Sequence, residues 1–204
     1  PYSMTEPLPQ KRSSGTIKLD KTGANIAEYL QSIRDTDVQS FNGIVETLRV
    51  VLPNMEDLQP ESTSELDRKV FLMMSEEKIA GKLPGRLLST GTLRILALLS
   101  VLRHPKPPPA IIIEEIENGL DPRTIHLLID EIRNFVETGY GQVIATTHSP
   151  YLLDLLKLSQ LVVVERDEFG SPVFTRPASQ KSLKEWTQQF SPGKLYTMGK
   201  LRRS

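Results

Sequence analysis

The sequence predicts an α/β domain in which a largely parallel sheet is flanked by helices. Two continuous apolar and β-branched runs, AIIIEE at 110–115 and QVIATTH at 142–148, are typical of strands that are buried on both faces. A helical pattern over residues 122–138 lies between them. A strand–helix–strand unit of this kind joins parallel strands, so we expect a parallel sheet that is covered on both faces.

Composition excludes several classes of function. The 204 residues carry 25 basic and 25 acidic side chains, so the net charge of zero gives no general attraction to nucleic acid or to a membrane surface. The chain has no cysteine, which excludes disulfides and cysteine-bound zinc and suits a reducing cytoplasm. No apolar run is long enough to cross a bilayer. Basic residues at the end of the chain, Lys200, Arg202 and Arg203, are the only terminal basic patch.

The first half of the chain predicts mainly helices. Residues 1–16 are polar and rich in Pro and Ser, which indicates a flexible lead-in or linker. Apolar residues at helical spacing between Asn25 and Leu52 predict two helices, and Pro53 ends the second. KVFLMM at 69–74 predicts a strand, whereas the rest of residues 54–85 leaves the secondary structure open.

An apolar helix is predicted from Ser89 to Arg103, and its one early charged residue, Arg94, is expected to extend its guanidinium into solvent. After the two strands of the sheet, we expect helices at 150–157 and 179–190. A strand at 161–166 and a turn into a further short strand, FGSPVF, are expected between them.

Two predicted helices begin at the edge of the sheet where ligands bind. Asp121-Pro122 and Ser149-Pro150 each combine a capping side chain with a proline at the first helical position. Both pairs follow the carboxyl end of a predicted parallel strand, which is the ligand-binding edge of open α/β sheets. Carboxylates are tolerated there if they face a polar cleft, and they are useful if a cation binds. The residues expected to cluster at this edge are Glu114, Glu115, Asp121, His148 and Ser149.

The start of the apolar helix predicts a phosphate site. Ser89 caps the helix, and the free N–H groups of its first turn attract an anion. Gly91 leaves room for another group to approach the backbone, and Thr90 and Thr92 offer hydroxyl donors.

Four segments together resemble the carboxyl-terminal half of the head of an ATP-binding-cassette (ABC) ATPase. They are LSTGT at 88–92 (the signature motif), IIIEE at 111–115 (the Walker B strand), ENGLD at 117–121 (the D-loop) and TTHS at 146–149 (the switch-histidine loop). Their flanking sequences look most like the RecF/SMC/OLD-like branch of predicted AAA-type ATPases, and the resemblance extends over residues 17–201. It implies a P-loop NTPase fold.

The resemblance also implies a role for each matching residue in ATP hydrolysis with Mg²⁺. Glu114 takes the place of the Walker B aspartate, which holds Mg²⁺ through water, and is one methylene longer. Glu115 polarises the attacking water, and His148 contacts the γ-phosphate. The signature residues Ser89, Thr90, Gly91 and Thr92 bind the γ-phosphate of ATP on the opposite protomer. In the D-loop, Asn118 belongs to the nucleotide site and Asp121 lies at the dimer seam.

The phosphate-gripping part of such a head has no counterpart in this sequence. The pattern GxxxxGK[ST] does not occur, and in the family it lies upstream of the signature. The resemblance therefore implies a Walker A lobe on the same or a separate chain, without which this polypeptide binds ATP weakly and does not hydrolyse it. The expected division is a signature subdomain, mostly helical, at 17–109, an ATPase lobe at 110–201 and a tail at 202–204.

The leading interpretation is an ATPase of the RecF/SMC-like branch that acts by ATP-dependent dimerisation in DNA repair or in defence against phage or plasmids. Its partners are then a second copy, and DNA or an effector protein. The alternative is a docking or regulatory module that keeps the fold without catalysis. A transporter ATPase subunit fits the segments STGTLR and ENGLDPR less well.

Overall fold

The computed structural model describes residues 10–11, 17–62, 69–180 and 183–201. Contacts within the chain define two compact units, Pro1–Ala145 and Thr146–Ser204. Most of the predicted lead-in and all of the predicted tail fall outside the described residues, although Gln10–Lys11 within the lead-in forms a short strand. The division after Ala145 differs from the predicted one after residue 109, since the signature helix and the first strand of the parallel sheet share a unit.

The first unit contains four helices and six strands within the described residues. In chain order they are β1 (Gln10–Lys11), α1 (Ile26–Thr36), α2 (Val38–Val51), β2 (Met55–Ser62), β3 (Lys69–Glu76), β4 (Lys82–Pro84), α3 (Thr90–Leu102), β5 (Ala110–Ile113), α4 (Pro122–Glu137) and β6 (Gln142–Ala145). The predicted helices at 25–52, 89–103 and 122–138 are therefore confirmed, within one or two residues at each end.

An antiparallel sheet occupies the region that was expected to be mostly helical. β3 lies between β1 and β2, and the carboxyl-terminal part of β3 also pairs with β4. Along β3, Val70, Leu72 and Met74 are buried at every second position, which is the period of a strand with one covered face. Helices α1 and α2 contact this sheet, and their largest buried side chains include Ile26, Leu30, Phe41, Ile44 and Leu48.

The parallel pair β5–β6 confirms the predicted strand–helix–strand unit. Ile112 lies opposite Ile144 in the register of the two strands. Ile111 and Ile113 are buried, but Ile112 is 77% exposed and Ile144 is 59% exposed. One face of this pair is thus open rather than covered within the described part of the chain, and parallel pairing there is confined to these two strands.

The second unit is smaller. It contains α5 (Pro150–Asp154), β7 (Val163–Arg166), β8 (Pro172–Thr175), α6 (Leu183–Trp186) and α7 (Pro192–Thr197) among its described residues. β7 and β8 form an antiparallel hairpin, as expected. Its core contains Leu153, Leu161, Leu183, Leu195 and Leu201.

The helix predicted at 179–190 is shorter than expected and is followed by a second helix. α6 ends at Trp186, and Pro192 at the first turn of α7 begins a new helix, which a proline favours at that position. Helix α5 is also shorter than predicted, because it ends at Asp154 rather than at residue 157. No helix among the described residues is long and apolar enough to span a bilayer.

Candidate active site

The start of α3 has the capping geometry that the sequence predicts. Ser89 adopts an extended conformation (φ −62°, ψ 153°), and its hydroxyl oxygen accepts a hydrogen bond from the backbone N–H of Thr92 at 3.0 Å. The hydroxyl groups of Ser89 and Thr92 lie 2.8 Å apart. Ser89 and Thr90 are exposed, so the first turn of the helix is open to a ligand.

Gly91 makes the close backbone approach that was expected of it, and the approaching group is the turn at 117–121. A Cβ atom at Gly91 would lie 2.2 Å from the carbonyl oxygen of Gly119. Gly119 itself has φ +74°, in the left-handed region that glycine adopts without a steric penalty. The LSTGT and ENGLD segments therefore touch through backbone atoms of two glycines.

The two glutamates lie in a turn directly after β5, not within the strand. Glu114 is exposed, whereas Glu115 is half-buried and has φ +44°. A residue with a side chain pays about 1–2 kcal/mol for this left-handed conformation. The carbonyl oxygen of Glu115 accepts a hydrogen bond from the N–H of Asn118 at 2.9 Å, which closes the turn.

Arg94 does not extend into solvent, which corrects the expectation from the sequence. Only 8% of the residue is exposed, and its Nη2 atom donates to the carbonyl oxygens of Glu114 at 2.7 Å and Glu115 at 2.8 Å. Burial lowers the pKa of Arg94, an effect that the nearby charges of Glu117 and Glu115 oppose. The guanidinium therefore links α3 to the backbone of Glu114 and Glu115.

Asp121 caps α4 as predicted. One carboxylate oxygen accepts from the N–H groups of Arg123 at 2.9 Å and Thr124 at 3.3 Å, and the other accepts from the Thr124 hydroxyl at 2.5 Å. The hydrogen bond from the Thr124 hydroxyl contributes most to lowering the pKa of Asp121; burial opposes it, and backbone N–H groups lower the pKa further. The carboxylate is therefore held in its ionised form.

His148 belongs to the second unit, where it lies in the loop that precedes α5. The residue is exposed, and its Nδ1 atom is 3.3 Å from the hydroxyl of Tyr196 on α7. Ser149 caps α5, since its hydroxyl accepts from the N–H of Leu152 at 3.2 Å. A side-chain hydrogen bond thus links His148 to the last helix of the unit.

Helix α7 is held against α5 by close backbone packing. The N–H of Gly193 donates to the Asp154 carboxylate at 2.6 Å, and a Cβ atom at Gly193 would lie 2.1 Å from the carbonyl oxygen of Pro150. Leu195, one residue before Tyr196, is fully buried in the core of the unit. These contacts fix the position from which Tyr196 reaches His148.

In the first unit, the exposed start of α3 and the exposed Glu114 carboxylate are groups of the kinds that bind phosphate and Mg²⁺. Among the described residues, no three His, Cys, Asp or Glu side chains come together as a metal cage. Mg²⁺ in nucleotide sites is instead held by one or two carboxylates together with water and phosphate oxygens, and Glu114 is an exposed carboxylate of this kind. The space beside Gly91 is taken by the carbonyl oxygen of Gly119, so a phosphate would meet the exposed Ser89 and Thr90 instead.

Sequence reasoning missed three contributors: Arg94, Gly119 and Tyr196. A single arginine within the otherwise apolar segment 93–102 was a signal, because such a charge either reaches solvent or meets buried acceptors. The structure unites Ser89–Thr92 with the segment 114–121 in the first unit, and it places His148 and Ser149 in the second.

Comparison with known proteins identifies the family. The model of the family described as "AAA domain, putative AbiEii toxin, Type IV TA system" matches residues 9–154, which is more than half of the chain. A "Putative ABC transporter ATP-binding protein" of Caldanaerobacter subterraneus subsp. tengcongensis is 30% identical over 141 residues, 67% of this chain and 57% of its own length. ABC transporter G family member 33 of Arabidopsis thaliana is 24% identical over 84% of this chain but only 12% of its own length.

Solved structures share the fold. A chain described as "Structural biochemistry of ATP-driven dimerization and DNA stimulated activation of SMC ATPases" has a TM-score of 0.56 and 14% identity, and the match covers 78% of this chain and 96% of that one. An Smc head domain with a coiled coil from Pyrococcus yayanosii has a TM-score of 0.52 and 15% identity, over 81% of this chain and 33% of that one. At this identity the likeness shows the fold alone.

The fold is thus that of a P-loop NTPase, as in the SMC ATPase heads that it resembles. The chain belongs to the family of AAA domains whose description names the AbiEii toxin. It spans 57% and 12% of the two curated relatives' lengths, so it corresponds to only part of each of them.

Proposed function

We propose that this chain is the carboxyl-terminal part of a RecF/SMC-like ATPase head that hydrolyses ATP when two heads meet. Family membership supports an ATPase. The observation that carries the proposal is the contact between Gly91 and Gly119, because it joins the signature-like helix start to the turn that follows the two glutamates. In a pair of heads the two segments of one chain serve different nucleotides, so this contact holds the two sites of the pair in one framework.

In this proposal, each side chain acts on substrate by position and charge. Glu115 accepts a proton from the attacking water as general base, and Glu114 orients a water ligand of the metal. Mg²⁺, when bound, neutralises the negative charge that develops on the phosphate oxygens. His148 donates a hydrogen bond to the γ-phosphate, Asn118 belongs to the nucleotide site, and Asp121 lies at the seam between two heads.

The start of α3 serves the nucleotide held by the partner copy. The Ser89 hydroxyl, the open N–H groups of Thr90 and Gly91, and the Thr92 hydroxyl present donors to a γ-phosphate. Since the side chains at 89 and 90 are exposed, a second copy can bring its nucleotide to them. ATP would then stabilise the closed pair and its hydrolysis would release it.

We also propose that a Walker A lobe, on the same or a separate chain, covers the open face of β5–β6. Ile112 and Ile144 are adjacent and exposed on that face. Ile112 also lines an apolar cavity of about 180 Å³ with Ala97, Leu98 and Val101. Without this lobe the chain lacks a phosphate cradle, so titration calorimetry should detect only weak binding of Mg-ATP to the 204 residues; micromolar affinity would contradict this.

The biological setting that we propose is DNA repair or defence against phage or plasmids, with DNA or an effector protein as partner, in the reducing cytoplasm that a cysteine-free chain suits. The family description names a toxin of a toxin–antitoxin system, and an SMC neighbour is described by DNA-stimulated activation. ATP hydrolysis by the full-length protein should therefore rise with added DNA or effector, and indifference to both would exclude this setting.

The central experiment uses the full-length protein with Glu115→Gln. Replacing the carboxylate should lower kcat by about 10²–10⁴-fold, the usual contribution of a general base, while an ATP-dependent dimer persists. Glu137→Gln, an exposed carboxylate at the end of α4, is the matched control and should leave kcat unchanged. Unchanged turnover in Glu115→Gln would remove Glu115 from its role, whereas absence of ATP hydrolysis by the wild-type full-length protein would favour a docking module instead.

A further inference from the structure

We propose that Arg94 is a positioning residue that couples the start of α3 to the catalytic carboxylate of Glu115. The inference rests on the proposed function and adds to it a residue outside the four recognised segments. Arg94 lies five residues after Ser89 on the same helix, and its guanidinium is buried against the strand end. A helix is rigid over this distance, so a shift of the helix start moves Arg94 with it.

The contact is directed at the backbone of Glu115 rather than at its side chain. Nη2 of Arg94 donates to two carbonyl oxygens, those of Glu114 and Glu115. These carbonyls belong to the peptide groups immediately before and after the α-carbon of Glu115. Two short hydrogen bonds from one charged donor fix both peptide groups that flank this residue. The direction of the Glu115 side chain is therefore set by its backbone conformation together with α3.

The contact from Arg94 stabilises a strained backbone conformation at Glu115. Glu115 has φ +44°, a conformation that a glutamate rarely adopts, and such strain persists where surrounding contacts enforce it. The turn has its own closing bond, from the N–H of Asn118 to the Glu115 carbonyl oxygen. Loss of Arg94 therefore leaves the turn closed and its Gly119 contact with Gly91 in place, but removes the guanidinium that holds the two peptide groups of Glu115, so the expected defect is in catalysis rather than in folding.

Arg103 provides a matched control on the same helix. It caps the carboxyl end of α3, and its Nε and Nη2 atoms donate to the Glu131 carboxylate on α4 at 2.6 and 2.8 Å. Arg103→Met removes a partly buried guanidinium from the helix, as Arg94→Met does, but it leaves the backbone of Glu115 untouched. Arg103→Met should lower the thermal midpoint with kcat within about twofold of wild type.

The test measures kcat, the Kd of Mg-ATP and the thermal midpoint of the full-length protein for Arg94→Met, Arg94→Lys and Arg103→Met. We expect Arg94→Met to lower kcat by about 10²-fold with Kd within about twofold, because a small misplacement of a catalytic group has an effect of this size. Arg94→Lys, which keeps the charge but not the planar fork, should recover part of this loss.

A double-mutant comparison separates positioning from general damage. If Arg94 acts through Glu115, adding Arg94→Met to Glu115→Gln should cause no further loss of kcat. Hydrogen exchange should also quicken in a peptide covering 114–120 in Arg94→Lys and stay unchanged in one covering 131–137. Losses that multiply in the double variant would overturn the coupling.

The remaining outcomes are also decisive. Normal kcat in Arg94→Met beside an inactive Glu115→Gln would overturn the role of Arg94 and leave the proposed function standing. Full activity of Glu115→Gln would instead remove Glu115 from its role and the positioning proposal with it, and absence of ATP hydrolysis by the wild-type protein would overturn the proposed function. Unfolding of both Arg94 variants, seen as loss of the thermal transition, would show that Arg94 is structural and overturn the proposal.

Discussion

The two units hold their candidate residues in different ways. In the first unit, Glu115 is fixed by a buried arginine, by its own turn and by backbone packing between two glycines. In the second, His148 is exposed in the loop before α5, and its Nδ1 atom lies 3.3 Å from the Tyr196 hydroxyl. The comparison is between a half-buried carboxylate, whose backbone accepts hydrogen bonds from a buried guanidinium, and an exposed imidazole beside a tyrosine hydroxyl.

The largest expected effect comes from a substitution that disrupts the glycine contact in the first unit. In Gly91→Ala the new methyl group would meet the carbonyl oxygen of Gly119 at 2.2 Å, and backbone on both sides resists the shift. We expect a loss of about 1–3 kcal/mol in the free energy of unfolding, measured by urea denaturation, together with loss of ATPase activity.

The control for Gly91→Ala is Gly170→Ala in the β7–β8 turn. Gly170 has φ +79° and nothing within 4 Å of an added Cβ, so that substitution costs only the backbone penalty of about 1 kcal/mol. Equal activity of wild type and Gly91→Ala would show that the contact between the two glycines does not shape the site.

The sequence predicted the elements of the fold better than their long-range contacts. Apolar spacing gave α1–α4 and the β5–β6 pair, because burial on one helix face or along a strand leaves a periodic trace. Ser89 and Asp121 were predicted as caps from local chemistry, and both cap their helices. The open face of β5–β6 was not expected. An apolar run predicts a strand that can be buried on both faces, but it does not show whether the segments that would cover those faces belong to the same chain.

Contacts between distant residues leave no such trace. The buried position of Arg94 depends on carbonyl groups 20 and 21 residues away, and periodicity alone cannot distinguish this from an arginine that reaches solvent. The left-handed conformation of Glu115 was also invisible, since a glutamate at φ +44° is disfavoured by its own chemistry and is imposed by its surroundings.

An intermediate effect concerns the cap beside the rigid site. Asp121→Ala removes the acceptor for two N–H groups and should lower the free energy of unfolding by about 1 kcal/mol at neutral pH. Because the pKa of Asp121 is lowered in the folded protein, its stabilisation is complete above the unfolded value near 3.8 and is lost as the pH falls through the folded value.

Urea denaturation of wild type and Asp121→Ala at several pH values checks this. The difference between the two proteins should be constant from neutral pH down to about 5 and should shrink below about 4. A difference that grows on acidification would mean that the carboxylate is not the stabilising form.

The smallest expected effect tests the exposed side of the comparison. Tyr196→Phe removes the hydroxyl that is bonded to Nδ1 of His148 while keeping the ring. Loss of this hydrogen bond should lower the free energy of unfolding by no more than about 1.5 kcal/mol, and we expect kcat of the full-length protein to fall by about 2–10-fold because the imidazole is less well oriented. Tyr140→Phe, at an exposed tyrosine of the first unit, is the control. A loss as large as that of Glu115→Gln would show that His148 is held as firmly as the carboxylate.

The most direct test of a site shared between two copies mixes two inactive full-length variants. Ser89→Arg blocks the helix start that serves the partner's nucleotide, and Glu115→Gln removes the base that serves a copy's own nucleotide. Random pairing makes about half of the dimers mixed, and each mixed dimer has one intact site. The account predicts that the mixture recovers about one quarter of wild-type ATPase activity; a mixture no more active than either variant alone would contradict it.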